Sequence, residues 1–212
     1  MILKYLLYYS VSGSYCQSEL SGNCEMIRNG GKVSGEAKMS IRSTDYLKEC
    51  IADALLVLLK EKPIEKITVD ELTSRAGVGR VTYFRSFSSK SEAITFKFIK
   101  MWEQYAELND IKVRDRFDLD NARHFFQYNL SIRHILTLVY KAGQQEAIHE
   151  SFYRIMTPPD RGDDLLTAYR EKFYAHGLYG LLDEWIKRDF RETPEEMAEL
   201  LRAIVNGKGG AA

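Results

Sequence analysis

The chain has 212 residues, 45% of them hydrophobic, and its 30 Lys/Arg balance 30 Asp/Glu. That length suits one or two domains with a real core, whereas zero net charge confers no general affinity for nucleic acid or acidic surfaces. No apolar run approaches the roughly 18 residues needed to span a bilayer, so no membrane partner is expected. Cys16, Cys24 and Cys50 are an odd count without metal-like spacing. The simplest compartment for them is a reducing cytoplasm.

Residues 2–11 are apolar and tyrosine-rich, but the run is short and no small-residue cleavage site follows it. Leu20, Ser21, Gly22, Asn23 and Cys24 have one residue too many for a lipoprotein signal. Ser and Gly recur as far as Gly35 without helical period, which predicts disorder over residues 1–38. We place the natural start at or near Met39 and take the leader as upstream translated or added sequence. A functional N-terminal arm is the alternative reading.

A first helix is predicted over residues 43–60, with Leu47, Ile51, Ala54, Leu55 and Leu58 as its apolar stripe and Pro63 beyond its end. Cys50 falls on the apolar side of the same helix. Thr68 and Glu71 have the spacing of a capping box, and Val69, Leu72 and Ala76 then repeat at helical intervals. Gly77 stands where a helix must stop, because a residue without Cβ accepts the left-handed backbone at little cost. A second short helix follows, carrying Arg80, Val81, Thr82, Tyr83, Phe84 and Arg85 and closed by Phe87. Ser89 and Glu92 repeat the capping spacing and open a long helix. Two short helices joined by a glycine turn form a helix-turn-helix, which predicts DNA binding.

The run Gly77, Val78, Arg80, Thr82, Phe87, Ser89, Lys90 and Glu92 resembles the DNA-binding domain of the TetR family of bacterial transcriptional regulators. The likeness covers about 50 residues, from Thr44 to Glu92, with turn, aromatic and capping positions in register. Two positions depart from the pattern. Phe84 replaces the usual Tyr, and Ser86 replaces a usual His or Tyr, which removes two phosphate anchors. The resemblance places Arg80, Val81, Thr82, Tyr83, Arg85 and Ser86 on or beside the recognition helix, whose first residues meet base edges in the major groove. Arg suits bidentate pairing with guanine. Thr68 and Lys90, each at a helix start, suit phosphate. Phe84 and Phe87 are expected to pack between the three helices.

Further helices are predicted over residues 90–108, 121–140, 146–156, 163–190 and 194–205. Residues 110–120 form a connection, and Pro158 and Pro159 end the helix before them. The fold is all-α with about nine helices. It divides into the leader (1–38), a helix-turn-helix DNA-binding domain (39–90) and an effector-binding and dimerisation domain (91–212). Residues 40–100 hold 11 Lys/Arg against 8 Asp/Glu, and residues 101–212 hold 15 against 19. A mildly basic front and an acidic rear fit a DNA-facing module on a domain that avoids DNA.

Trp102, Tyr105, Phe125, Phe126, Tyr128, Tyr140 and Phe152 give the middle of the chain an excess of aromatics. The resemblance implies that this region encloses a pocket for a small-molecule or protein effector. Trp102, Tyr105, His124, Phe125, Tyr128, Tyr140 and Phe152 would line it, with His134 as a further polar contact. The same rings also suit the core of a helical bundle. The last two helices carry more apolar residues than one face needs. By resemblance they pair with a second copy as a four-helix bundle through Leu178, Leu181, Leu182, Trp185, Leu200 and Leu201, with Gly177 and Gly180 allowing close approach.

Enzyme chemistry has little support. His124, His134, His149 and His176 show no metal-ligand spacing, and His149-Glu150 lacks the second His of a zinc-protease motif. No phosphate loop or nucleophile elbow occurs, and no cofactor is expected. The expected function is a homodimeric, operator-binding repressor released from a palindromic double-stranded DNA site by an effector. The alternative is a protein-interaction module or co-activator of the same fold with weak or lost DNA binding.

Overall fold

A computed structural model describes residues 36–111, 121–157 and 164–207, with side chains from Thr44 onward. The leader through residue 35, most of the 110–120 connection, and Pro158 and Pro159 lie outside the described residues. The fold is all-α: among the described residues there are nine α-helices, one 3-10 turn and no strand. The chain separates into two compact units, dividing between Ser88 and Ser89.

In the first unit α1 spans Glu36–Glu61, beginning earlier than residue 43, where it was predicted. Residues 36–39 are Glu, Ala, Lys and Met, all good helix formers, so the helix extends back beyond residue 43. A 3-10 turn (Ile64–Lys66) leads to α2 (Val69–Ala76) and α3 (Arg80–Ser86). Both short helices pack on α1 and on each other. Helices this short are marginal alone, so their stability comes from burying Leu72, Ala76, Tyr83 and Phe87 with Ile51, Leu55 and Leu58 of α1.

The second unit opens with α4 (Lys90–Leu108), capped by Ser89, whose Oγ accepts the Glu92 amide at 3.0 Å. It continues with α5 (Ala122–Ser131), α6 (Arg133–Lys141), α7 (Gln145–Met156), α8 (Leu165–Lys187) and α9 (Pro194–Val205). The single helix expected over residues 121–140 is thus two, interrupted at Ile132. There the Ser131 hydroxyl donates to the Tyr128 carbonyl at 2.6 Å, and the Asn129 amide donates to the Phe125 carbonyl at 2.8 Å. Side chains that bond nearby carbonyls compete with helix continuation.

Helix α7 packs between α4 and α8, and α9 packs on α5. The Thr95 hydroxyl ties α4 to the Ala147 carbonyl at 3.2 Å. Helix α8 ends at Lys187, short of the predicted residue 190, because Asp189 and Phe190 both take left-handed backbone (φ 57° and 54°). The Phe190 ring then meets Trp185 edge-on at 5.0 Å, a contact that holds this costly conformation. Thr193 and Glu196 form a complete capping box at the start of α9. No helix among the described residues is long and apolar enough to cross a membrane.

Candidate functional site

In the first unit the turn between α2 and α3 depends on Gly77, whose φ of 66° and ψ of 26° are left-handed. At the start of α2, Thr68 Oγ1 accepts the Glu71 amide at 3.2 Å. The Glu71 carboxylate meets Lys62 Nζ, and that contact holds it below the usual carboxylate range. Arg80 opens α3 with its Nη1 3.0 Å from Asp70 Oδ1 on α2. This exposed pair bridges the two helices of the motif.

The orientation of α3 corrects two expectations. Tyr83, expected to face outward, is 4% exposed, whereas Phe84, expected in the core, is 60% exposed. Adjacent helical residues point about 100° apart, and here Tyr83 turns inward beside Phe87, with ring centroids 6.4 Å apart, while Phe84 turns outward. Tyr83 therefore cannot replace the phenol that Phe84 lacks on the outer surface. The outward face consists of Arg80, Val81, Phe84 and Arg85, with Val81 79% exposed. Thr82 and Ser86 are half-buried, and Thr68 is exposed. Lys90 belongs to the second unit, at the first position of α4.

The second unit gathers most of the candidate effector residues into one ring cluster. Trp102 meets Tyr128 at 5.1 Å, Tyr105 at 5.9 Å and Phe125 at 6.4 Å between ring centroids. Tyr105 also meets Tyr128 at 5.1 Å, and Phe125 meets Phe152 at 5.4 Å. Burial raises the Tyr105 phenol above its ordinary value. Tyr140 is engaged elsewhere: its hydroxyl donates to Asp183 Oδ1 at 2.7 Å, and Lys187 holds the other carboxylate oxygen at 2.6 Å. Burial opposes ionisation of Asp183, but hydrogen bonds from Lys187 and Tyr140 outweigh it and keep the carboxyl below its usual range. His124 Nδ1 and Asn129 Oδ1 are among the buried polar atoms with no hydrogen-bond partner among the described residues. His134 lies on the exposed side of α6.

Helix α8 is apolar on two faces, which periodicity could not apportion. One face buries Ala175, Leu178, Leu182 and Trp185 within the chain, Trp185 donating its indole N–H to the Glu192 carbonyl at 3.1 Å. Leu201 of α9 is buried likewise. Of the six residues expected to meet a second copy, Leu178, Leu182, Trp185 and Leu201 are thus core. Leu181 is half-buried and Leu200 exposed. The opposite face of α8 carries Leu166, Tyr169 and Phe173, each about 70% exposed. Gly177 and Gly180 follow on it with open space where a Cβ would stand.

No curated protein sequence matches the chain. Residues 119–207, the region from α5 through α9, match a TetR family model described as a transcriptional regulator C-terminal region. This part of the chain belongs to the TetR family of transcriptional regulators. The match falls outside the helix-turn-helix run, so a resemblance read from residues 44–92 and a family match over residues 119–207 agree from separate segments. A TetR-family regulator domain accounts for an all-helical rear unit and points to regulation rather than catalysis.

Proposed function

We propose that this TetR-family regulator binds operator DNA as a homodimer through α3 and represses transcription until an effector enters the ring cluster of the second unit. The observation that carries the reading is the outward face of α3. Arg80 and Arg85 sit there on the second helix of a glycine-turn motif, where a recognition helix presents its base-reading side chains. The effector reading draws on the Trp102–Tyr105–Phe125–Tyr128 cluster and on His124 Nδ1 and Asn129 Oδ1, which a ligand donor would satisfy. For the dimer, the burial pattern favours Tyr169, Phe173, Gly177, Gly180, Leu200 and Ile204 over the residues chosen from periodicity.

A second reading has its own support. Val81 and Phe84 make half of the exposed α3 face apolar, which suits a protein partner as well as a thymine methyl. Binding to fragments of the protein's own genome across a salt series separates the two. DNA binding through phosphates requires affinity to fall steeply with salt. Flat or absent DNA binding by the folded protein would leave the interaction-module reading.

A further inference from the structure

His149 on α7 and His176 on α8 meet although 27 residues separate them: Nε2 of the first stands 2.9 Å from Nδ1 of the second. The ring centroids are 4.9 Å apart and the planes are inclined by 29°. Tyr179 packs edge-on against His149 at 4.7 Å, and Tyr153 lies beside His176 at 6.3 Å, so both imidazoles are braced by neighbouring rings. His149 is half-buried and His176 exposed, which leaves the pair open to ions from solvent. Two nitrogens facing each other this closely share one proton as N–H···N, or both give their lone pairs to a third centre.

The spacing that suits a hydrogen bond also suits two ligands of one ion. With metal–nitrogen bonds of about 2.0–2.1 Å, two cis nitrogens at a right angle stand about 2.9 Å apart, and two at the tetrahedral angle about 3.3–3.4 Å. We propose that His149 and His176 form a two-imidazole clip for a divalent transition metal ion, bridging α7 and α8. Imidazole nitrogens suit Ni²⁺ and Cu²⁺, which stand high in the divalent affinity order. Among the described residues no group of three His, Cys, Asp or Glu comes together, so solvent completes the coordination. The shared proton moves to the outer nitrogen of its own imidazole, the ion takes its place between the facing nitrogens, and α7 and α8 gain a crosslink that the unfolded chain lacks.

The test is calorimetric titration of the full, tag-free chain with NiCl₂, followed by thermal melting with and without the ion. About one Ni²⁺ per chain and a higher melting temperature are expected. Both effects disappear in His149→Gln and in His176→Gln, and both persist in His124→Gln and His134→Gln. No Ni²⁺ binding by the folded wild type, or binding that survives in either clip variant, overturns the proposal. Circular dichroism checks that the variants fold. If one does not, the Cu²⁺ electron paramagnetic resonance spectrum of the wild type decides: splitting from two nitrogens supports the clip, and thiolate ligation or a single nitrogen overturns it.

Discussion

Arg80 Nη1 is held by Asp70, so a bidentate base contact that uses this nitrogen requires the pair to open. Nη1 lies 3.0 Å and 3.3 Å from the two Asp70 oxygens, and both side chains are well exposed. An exposed ion pair of this kind contributes about 0.2–1 kcal/mol, and releasing it opposes DNA binding by the same amount. Asp70→Ala should therefore tighten operator binding by up to about fivefold per half-site, since 1.4 kcal/mol is tenfold. Stability should fall by at most about 1 kcal/mol for the pair, plus about 0.3–1 kcal/mol for an acid lost from the first turn of α2. Arg80→Ala should cost about 1–3 kcal/mol per half-site and relax base preference at one position. In the Arg80→Ala background, removing Asp70 should add only a weak, salt-screened gain. Fluorescence anisotropy on the shortest genomic fragment the protein retains, at fixed ionic strength, reads all four variants of the cycle. If Asp70→Ala weakens binding, Asp70 orients Arg80 rather than competing for it. If Arg80→Ala leaves base preference intact, α3 does not read DNA through this residue.

Tyr83→Ala should destabilise the first unit by about 3–5 kcal/mol, as a large buried ring is lost, while Phe84→Ala should stay within about 0.5 kcal/mol; urea unfolding compares them. Phe173→Asp combined with Leu200→Asp should give a folded monomer by light scattering, and a variant that stays dimeric would move the interface elsewhere. Trp185→Ala should instead lower stability by about 3–5 kcal/mol through its core position. Asp183 is held below its ordinary pKa, so its contribution is present above the unfolded value of about 3.9 and is lost as pH falls through the lower folded value. Asp183→Asn should cost about 1 kcal/mol near neutrality and flatten the acid limb of a stability–pH curve.

What the sequence determined by itself was local. Capping at Thr68, Ser89 and Thr193, the left-handed stop at Gly77 and the 3.6-residue period give nearly every helix, because each signal acts within one or two turns. The helix-turn-helix was legible for the same reason. Tertiary structure decided which of two apolar faces goes inside. Tyr83 and Phe84 are neighbours of similar hydrophobicity, and only their packing against α1 and α2 assigns one to the core and the other to the surface. On α8, periodicity finds Leu178, Leu182 and Trp185 and, on the far side, Tyr169 and Phe173, without saying which stripe the rest of the unit covers. The break at Ile132 depends on side chains bonding the carbonyls of the preceding turn. The meeting of His149 with His176 depends on how α7 lies against α8. A chain pattern records periodicity along one helix, whereas burial and side-chain convergence are properties of several helices packed together.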